Sequence, residues 1–267
     1  MTLLQSFVLG IVQGITEFLP VSSSAHLVIM SDIFGWIEQP VEFDAAIHLA
    51  TLLAILIYFR ADILKIAAAT LSRNPKDKKS RRLGFVIAIS TIPALILAAV
   101  LKFAPENPFR EINVIIVAMI GWAVVMFIVD QVLKIPRVIK DPADVTMKKG
   151  FHVGLGQALA LIPGTSRSGI CMIVGLVEGL DRATAARFAF LLGVPVIAIA
   201  GAVSVYDLLT TPELGVPFQF LALGFVSAFG SGLLAIKFLL KFLERHSFNV
   251  FVIYRIIIGI LLIIMFW

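Results

Sequence analysis

The chain has 267 residues, 60% of them hydrophobic and 15% charged, with a mean hydropathy of +1.01. That is too apolar for a soluble globule and places the chain among polytopic helical membrane proteins. A formal charge of +5 would suit nucleic acid, but the basic residues fall in loops between apolar runs and no nucleic-acid motif accompanies them; Cys171, the single cysteine, excludes an intramolecular disulfide and any Cys-based metal site.

The first apolar run begins almost at Met1 without a basic leader or a small-residue cleavage site, and so reads as a structural segment. Residues 2 to 35 are two short apolar stretches broken by Pro20-Val21-Ser22-Ser23-Ser24-Ala25-His26, the pattern of a re-entrant hairpin. A full span follows from Phe43 to Tyr58, then a short interfacial helix over Ala61 to Leu71. Arg60 to Arg82 holds eight Lys or Arg. Further spans are expected over Leu83 to Phe103 and Ile112 to Leu133, followed by five basic residues in Lys134 to Lys149. Residues 150 to 179 form a second interrupted pair, broken by Pro163-Gly164-Thr165-Ser166-Arg167-Ser168-Gly169. Thr184 to Tyr206, Phe218 to Leu240 and Asn249 to Trp267 complete six spans.

The basic loops orient the chain with those loops cytoplasmic, while 36 to 42 and 207 to 217, which lack Lys and Arg, face outward. Three spans separate the hairpins, so the first enters from outside and the second from the cytoplasm, and the two polar tips meet near the middle. A shift of 143 places Pro20 on Pro163, Ser23 on Ser166 and Asp44 on Arg187, and a shift of 140 places Leu83-Gly84-Phe85-Val86 on Leu223-Gly224-Phe225-Val226. The fold expected is therefore all-α: one membrane domain, six full spans and two re-entrant hairpins in an inverted repeat of about 1–133 and 150–267.

Irregular Ser- and Gly-rich backbone at membrane depth persists only where protein buries it or a wet cavity reaches it, so function is sought at the tips. Each tip opens a helix whose free N–H groups and dipole favour an anion. Ser22, Ser23 and Ser24 are positioned to cap the first helix, and Thr165, Ser166 and Ser168 the second. Arg167 adds a planar charge suited to phosphate, and two facing helix starts with one Arg describe a diphosphate cradle. Gln13 and Glu17 share a helix face, and His26, three and four residues beyond Ser23 and Ser22, is placed to reach a serine hydroxyl. These groups suffice for phosphoryl transfer, with either a serine or a positioned water as nucleophile. The plainer alternatives are a simple cap for the serines and a structural Glu17–Arg167 ion pair. His48, His152 and Glu178 read as structural or interfacial, Asp44 and Arg187 as capping or paired residues, and Arg255 as lining the cavity or snorkelling.

The run Gln13-Gly14-Ile15-Thr16-Glu17-Phe18-Leu19-Pro20-Val21-Ser22-Ser23-Ser24-Ala25-His26, with the Pro163 to Gly169 motif, Phe43-Asp44 and Tyr254-Arg255-Ile256, closely resembles the bacterial undecaprenyl-diphosphatases of the bacitracin-resistance type over essentially the whole chain. The resemblance implies an inner-membrane phosphatase that returns undecaprenyl diphosphate to the monophosphate carrier lipid of peptidoglycan synthesis. It places the family's acidic motif on Gln13 and Glu17, its Ser/His pair on Ser23 and His26 and its phosphate-binding arginine on Arg167, with Ser22, Ser24, Gly164, Thr165, Ser166 and Ser168 around the substrate. It also implies a divalent cation, Mg²⁺ or Ca²⁺, at Gln13 and Glu17; Gln13 would bring no charge to it. The expected partners are a polyprenyl diphosphate and the bilayer, with a homo-oligomer left open. The reading from another class is a lipid-phosphate or anion carrier, which the same inverted repeat would serve.

Overall fold

A computed structural model describes residues 1–36, 40–72, 74–102, 111–210 and 216–266. Eleven α-helices follow in chain order among them: α1 (Leu3–Phe18), α2 (Ser23–Phe34), α3 (Val41–Tyr58), α4 (Arg60–Leu71), α5 (Lys78–Lys102), α6 (Ile112–Phe127), α7 (Met147–Leu159), α8 (Arg167–Val177), α9 (Arg182–Thr210), α10 (Phe218–Leu243) and α11 (Asn249–Phe266). No strand occurs among the described residues, only an isolated bridge between Ile139 and Leu180. The fold is thus the all-helical, polytopic one expected from the sequence.

Five helices, α5, α6, α9, α10 and α11, are long and apolar enough to cross a bilayer, and α3 makes a sixth when it is counted together with α4. It breaks by 79° into α4, so the chain turns at Phe59 where a basic helix begins. In the five long spans only 28 to 44% of the most apolar stretch is buried inside the protein, so most of that apolar surface points outward, as bilayer-facing surface does. The helices α1, α2 and α8 are shorter, and each of the pairs α1/α2 and α7/α8 doubles back at a Pro-containing tip.

The halves interleave. Helix α1 of the first lies along α10 of the second, and α7 of the second along α5 of the first. Gly10 makes the first approach close, since a methyl there would meet Gly224 O; Gly154, 144 positions on, does the same against Ser90 O. Ser6 Oγ donates to Phe220 O at 2.9 Å across the α1–α10 seam. Under the tips lies an aromatic floor in which Phe18 and Phe190 meet edge to face at 5.5 Å, with Phe59 beyond.

The tips themselves align at a shift of 144 rather than 143. Among the described residues, Ser22 and Ser166 are the two non-glycine residues with positive φ, at 74° and 73°, and each immediately precedes a helix, α2 or α8. Ser22 Oγ lies 3.2 Å from Ser24 Oγ, and Ser166 Oγ lies 3.3 Å from Ser168 Oγ. Ser23 and Arg167 are therefore equivalent, each the first residue of its helix. Matching the prolines concealed this, because one tip has an additional residue between its proline and the strained serine.

Candidate active site

Both strained serines hold backbone conformations that cost about 1–3 kcal/mol each and persist only where the surroundings impose them. The strain turns the first residue of each helix inward. Ser23 Oγ donates to Glu17 Oε2 at 2.7 Å, and Arg167 Nη2 donates to Glu17 Oε1 at 3.1 Å. The two tips thus meet on one carboxylate, which is 9% exposed and receives a third hydrogen bond from Gln13 Nε2 at 3.1 Å. Ser168 Oγ adds a direct tie between the tips by donating to Leu19 O at 3.3 Å. Arg167 Nη1 is buried without a hydrogen-bond partner and lies against Gly193, where a methyl would overlap it.

A cavity of about 380 Å³ opens in front of this triad, with Glu17, Ser22, Ser23, Ser24, Ser166 and Arg167 on one wall. The opposite wall comes from α3 and α9. It is largely small or apolar, with Ala45, Val196, Ile197, Ala200 and Gly201, and it carries Asp44 and His48. His48 Nδ1 donates to Asp44 O at 2.7 Å. Sequence reasoning passed over Asp44 and His48 as site residues because what they face is supplied by other helices, more than 20 positions away.

Several expectations change here. His26 does not reach a serine hydroxyl. Its Nδ1 donates to Ser22 O at 2.7 Å, its Nε2 accepts from Tyr254 Oη at 2.7 Å, and the ring stacks on Tyr254. With both nitrogens engaged and the ring turned to α11, it is not placed to take a proton from Ser23. The partner at i−4 proved to be a carbonyl, because the left-handed turn at Ser22 points that oxygen along the helix. Among the capping residues, Ser166 Oγ accepts from Gly169 N at 3.2 Å, whereas Ser22 caps nothing. Gly164, Thr165 and Ser168 lie behind the cavity wall, not on it. Arg255 neither lines the cavity nor snorkels: it is fully buried and donates to five backbone carbonyls.

Gln13 also lies off the cavity and turns its N–H toward Glu17, so it does not present itself as a cation ligand there. Its Oε1 is buried and unpartnered, facing elsewhere. No cluster of three or more His, Cys, Asp or Glu placed to hold a metal occurs among the described residues. A cation that arrives with phosphate oxygens, the usual habit of Mg²⁺, would need only one or two protein carboxylates; two carboxylates, Glu17 and Asp44, line the cavity.

Residues 6–261 match the family model described as bacitracin resistance protein BacA. The chain is 42% identical over 269 residues to undecaprenyl-diphosphatase 2 of Stutzerimonas stutzeri (strain A1501), covering 100% of this chain and 99% of that one. It is 41% identical to the undecaprenyl-diphosphatase of Myxococcus xanthus (strain DK1622), covering 99% and 89%, and 38% identical to that of Aliivibrio salmonicida (strain LFI1238), covering 97% and 96%.

Proposed function

The chain belongs to the BacA bacitracin-resistance family, and on that premise we propose that it hydrolyses undecaprenyl diphosphate to undecaprenyl phosphate and inorganic phosphate. The product is the lipid carrier used again in peptidoglycan synthesis, and its regeneration is what confers resistance to bacitracin.

The observation that carries the chemistry is Ser23 Oγ donating to Glu17 Oε2 at 2.7 Å while Arg167 holds the other carboxylate oxygen. The carboxylate is an acceptor already in line for the serine proton, and the arginine fixes its orientation. In the first step Ser23 Oγ bonds to the terminal phosphorus, the bond from that phosphorus to the bridging oxygen breaks, undecaprenyl phosphate leaves, and the serine proton passes to Glu17. In the second step a water oxygen bonds to the phosphorus of the phosphoserine, the bond from that phosphorus to Ser23 Oγ breaks, inorganic phosphate leaves with both water protons, and the proton on Glu17 returns to Ser23 Oγ. Arg167, which lines the cavity, and the N–H groups at the starts of α2 and α8 hold the phosphoryl oxygens. A divalent cation held by Glu17 and the diphosphate oxygens would offset the charge that develops on them. His26 takes no proton in this scheme.

The cavity wall runs from Asp44 near the start of α3 and along α9 to Ser204. These ends adjoin 36 to 42 and 207 to 217, the connections without Lys or Arg. That charge distribution supports a site opening to the outer face of the inner membrane, with the basic loops cytoplasmic.

Purified protein in detergent, given undecaprenyl diphosphate labelled in its terminal phosphate, is expected to release labelled phosphate. Acid quenching should trap a phosphoserine that is lost in Ser23→Ala together with turnover. A carrier without hydrolytic activity releases none, and a Ser23→Ala protein that turns over at the wild-type rate removes the serine from the mechanism.

A further inference from the structure

Among the described residues, Arg255 is the largest fully buried side chain, and no ion pair to it occurs. Charge at that depth is retained only for a purpose. Its guanidinium donates from Nε to Met119 O at 3.1 Å, from Nη1 to Pro20 O at 3.2 Å and Thr165 O at 3.3 Å, and from Nη2 to Ala118 O at 3.2 Å and Gly164 O at 2.8 Å. Three of those carbonyls belong to the tips: Pro20 stands three residues before Ser23, and Gly164 and Thr165 stand three and two before Arg167. The other two belong to α6. The neighbouring Tyr254 adds a second hold on the first tip, through His26 to the carbonyl of strained Ser22. Each tip is thus gripped from α11 within three residues of the group it presents to Glu17.

We propose that Arg255 is a positioning residue of the reaction: its planar fork ties Pro20 O on one tip to Gly164 O and Thr165 O on the other, fixing Ser23 relative to Arg167, with Tyr254 and His26 as an auxiliary brace. A fork is required because the five acceptors come from three separate segments; lysine offers three donors from one point and cannot span them. The inference rests on the hydrolase reading above. Turnover depends steeply on the placement, since a displacement of about 1 Å costs about 100-fold in rate.

The test is a double-mutant cycle in phosphate release with wild type, Arg255→Lys, Arg167→Lys and the double variant. Arg255→Lys should lower kcat about 100-fold with KM within about threefold. In the Arg167→Lys background, where the fork on the phosphate is already lost, the same change should cost less than about fivefold. A residue that only supports folding would remove the same fraction of active molecules in both backgrounds. Equal penalties, or a kcat for Arg255→Lys within threefold of wild type, overturn the proposal. Should Arg255→Lys fail to fold, Tyr254→Phe, which deletes one hydroxyl, replaces it in the cycle with an expected loss of about tenfold, and equal penalties or wild-type turnover there overturn the proposal too. If the wild-type protein itself releases no phosphate, it is the hydrolase reading that fails.

Discussion

Gly193→Ala is the sharpest single perturbation of the site, because Gly193 has no side chain and touches the chemistry only through the space it leaves. A methyl group there would overlap Arg167 Nη1, lie 2.7 Å from Cζ and 3.3 Å from Nη2. Restoring an ordinary contact of about 3.5–4.0 Å requires the guanidinium to withdraw by roughly 2 Å. The Nη2 bond to Glu17 stands at 3.1 Å and does not survive such a withdrawal. The displaced group is the end of a long side chain, so the fold should persist, with an overpacking cost of about 1–3 kcal/mol. Turnover should fall about 100-fold, equivalent to about 2.7 kcal/mol of transition-state stabilisation. Gly121→Ala and Gly230→Ala, whose methyls would meet nothing within 4 Å, serve as controls and should be neutral or stabilising by up to about 1 kcal/mol. The assay is initial-rate phosphate release in detergent, paired with thermal unfolding of each variant. A Gly193→Ala protein with wild-type kcat and an unchanged melting temperature would show that Arg167 does not depend on this space.

Glu17→Gln removes the proton acceptor and leaves Arg167 buried beside a neutral amide; turnover should drop by at least about 1,000-fold, and unfolding should become easier by about 3–5 kcal/mol, read from kinetics and melting respectively. Ser22→Gly relieves the positive φ at a position whose hydroxyl caps nothing, so its melting temperature should rise, by the equivalent of about 1 kcal/mol, and a fall would place the strain elsewhere. Removing divalent cations with a chelator should suppress phosphate release from wild type, and restoring Mg²⁺ should recover it; full activity in chelator would remove the cation from the proposal.

The hairpins were legible because Pro20 and Pro163 interrupt apolar runs too short to span. The meeting of Glu17 with Arg167 was legible as an alternative, since two opposite charges at membrane depth seek each other. The partner of Ser23 was not. Helical spacing puts His26 beside the serines, but that rule holds inside a helix, and Ser22 is the residue before one, in a left-handed conformation that swings Ser23 back to Glu17. The Asp44 and His48 wall was hidden for another reason: nothing local marks a polar residue on α3 as facing a cavity. Arg255 looks, in sequence, like any arginine near a helix end, and five carbonyls leave no side-chain signature to read.

The interleaving of α1 with α10 and α7 with α5 bears on how the protein is made. A ribosome delivers α1 and α2 to the membrane some 200 residues before α10 exists, so the first hairpin must wait, its glycine seam open, through most of synthesis. Stable seating of the nucleophile is therefore among the last events of biogenesis, and a chain truncated before Phe218 would carry the complete set of reactive side chains without a scaffold to hold them.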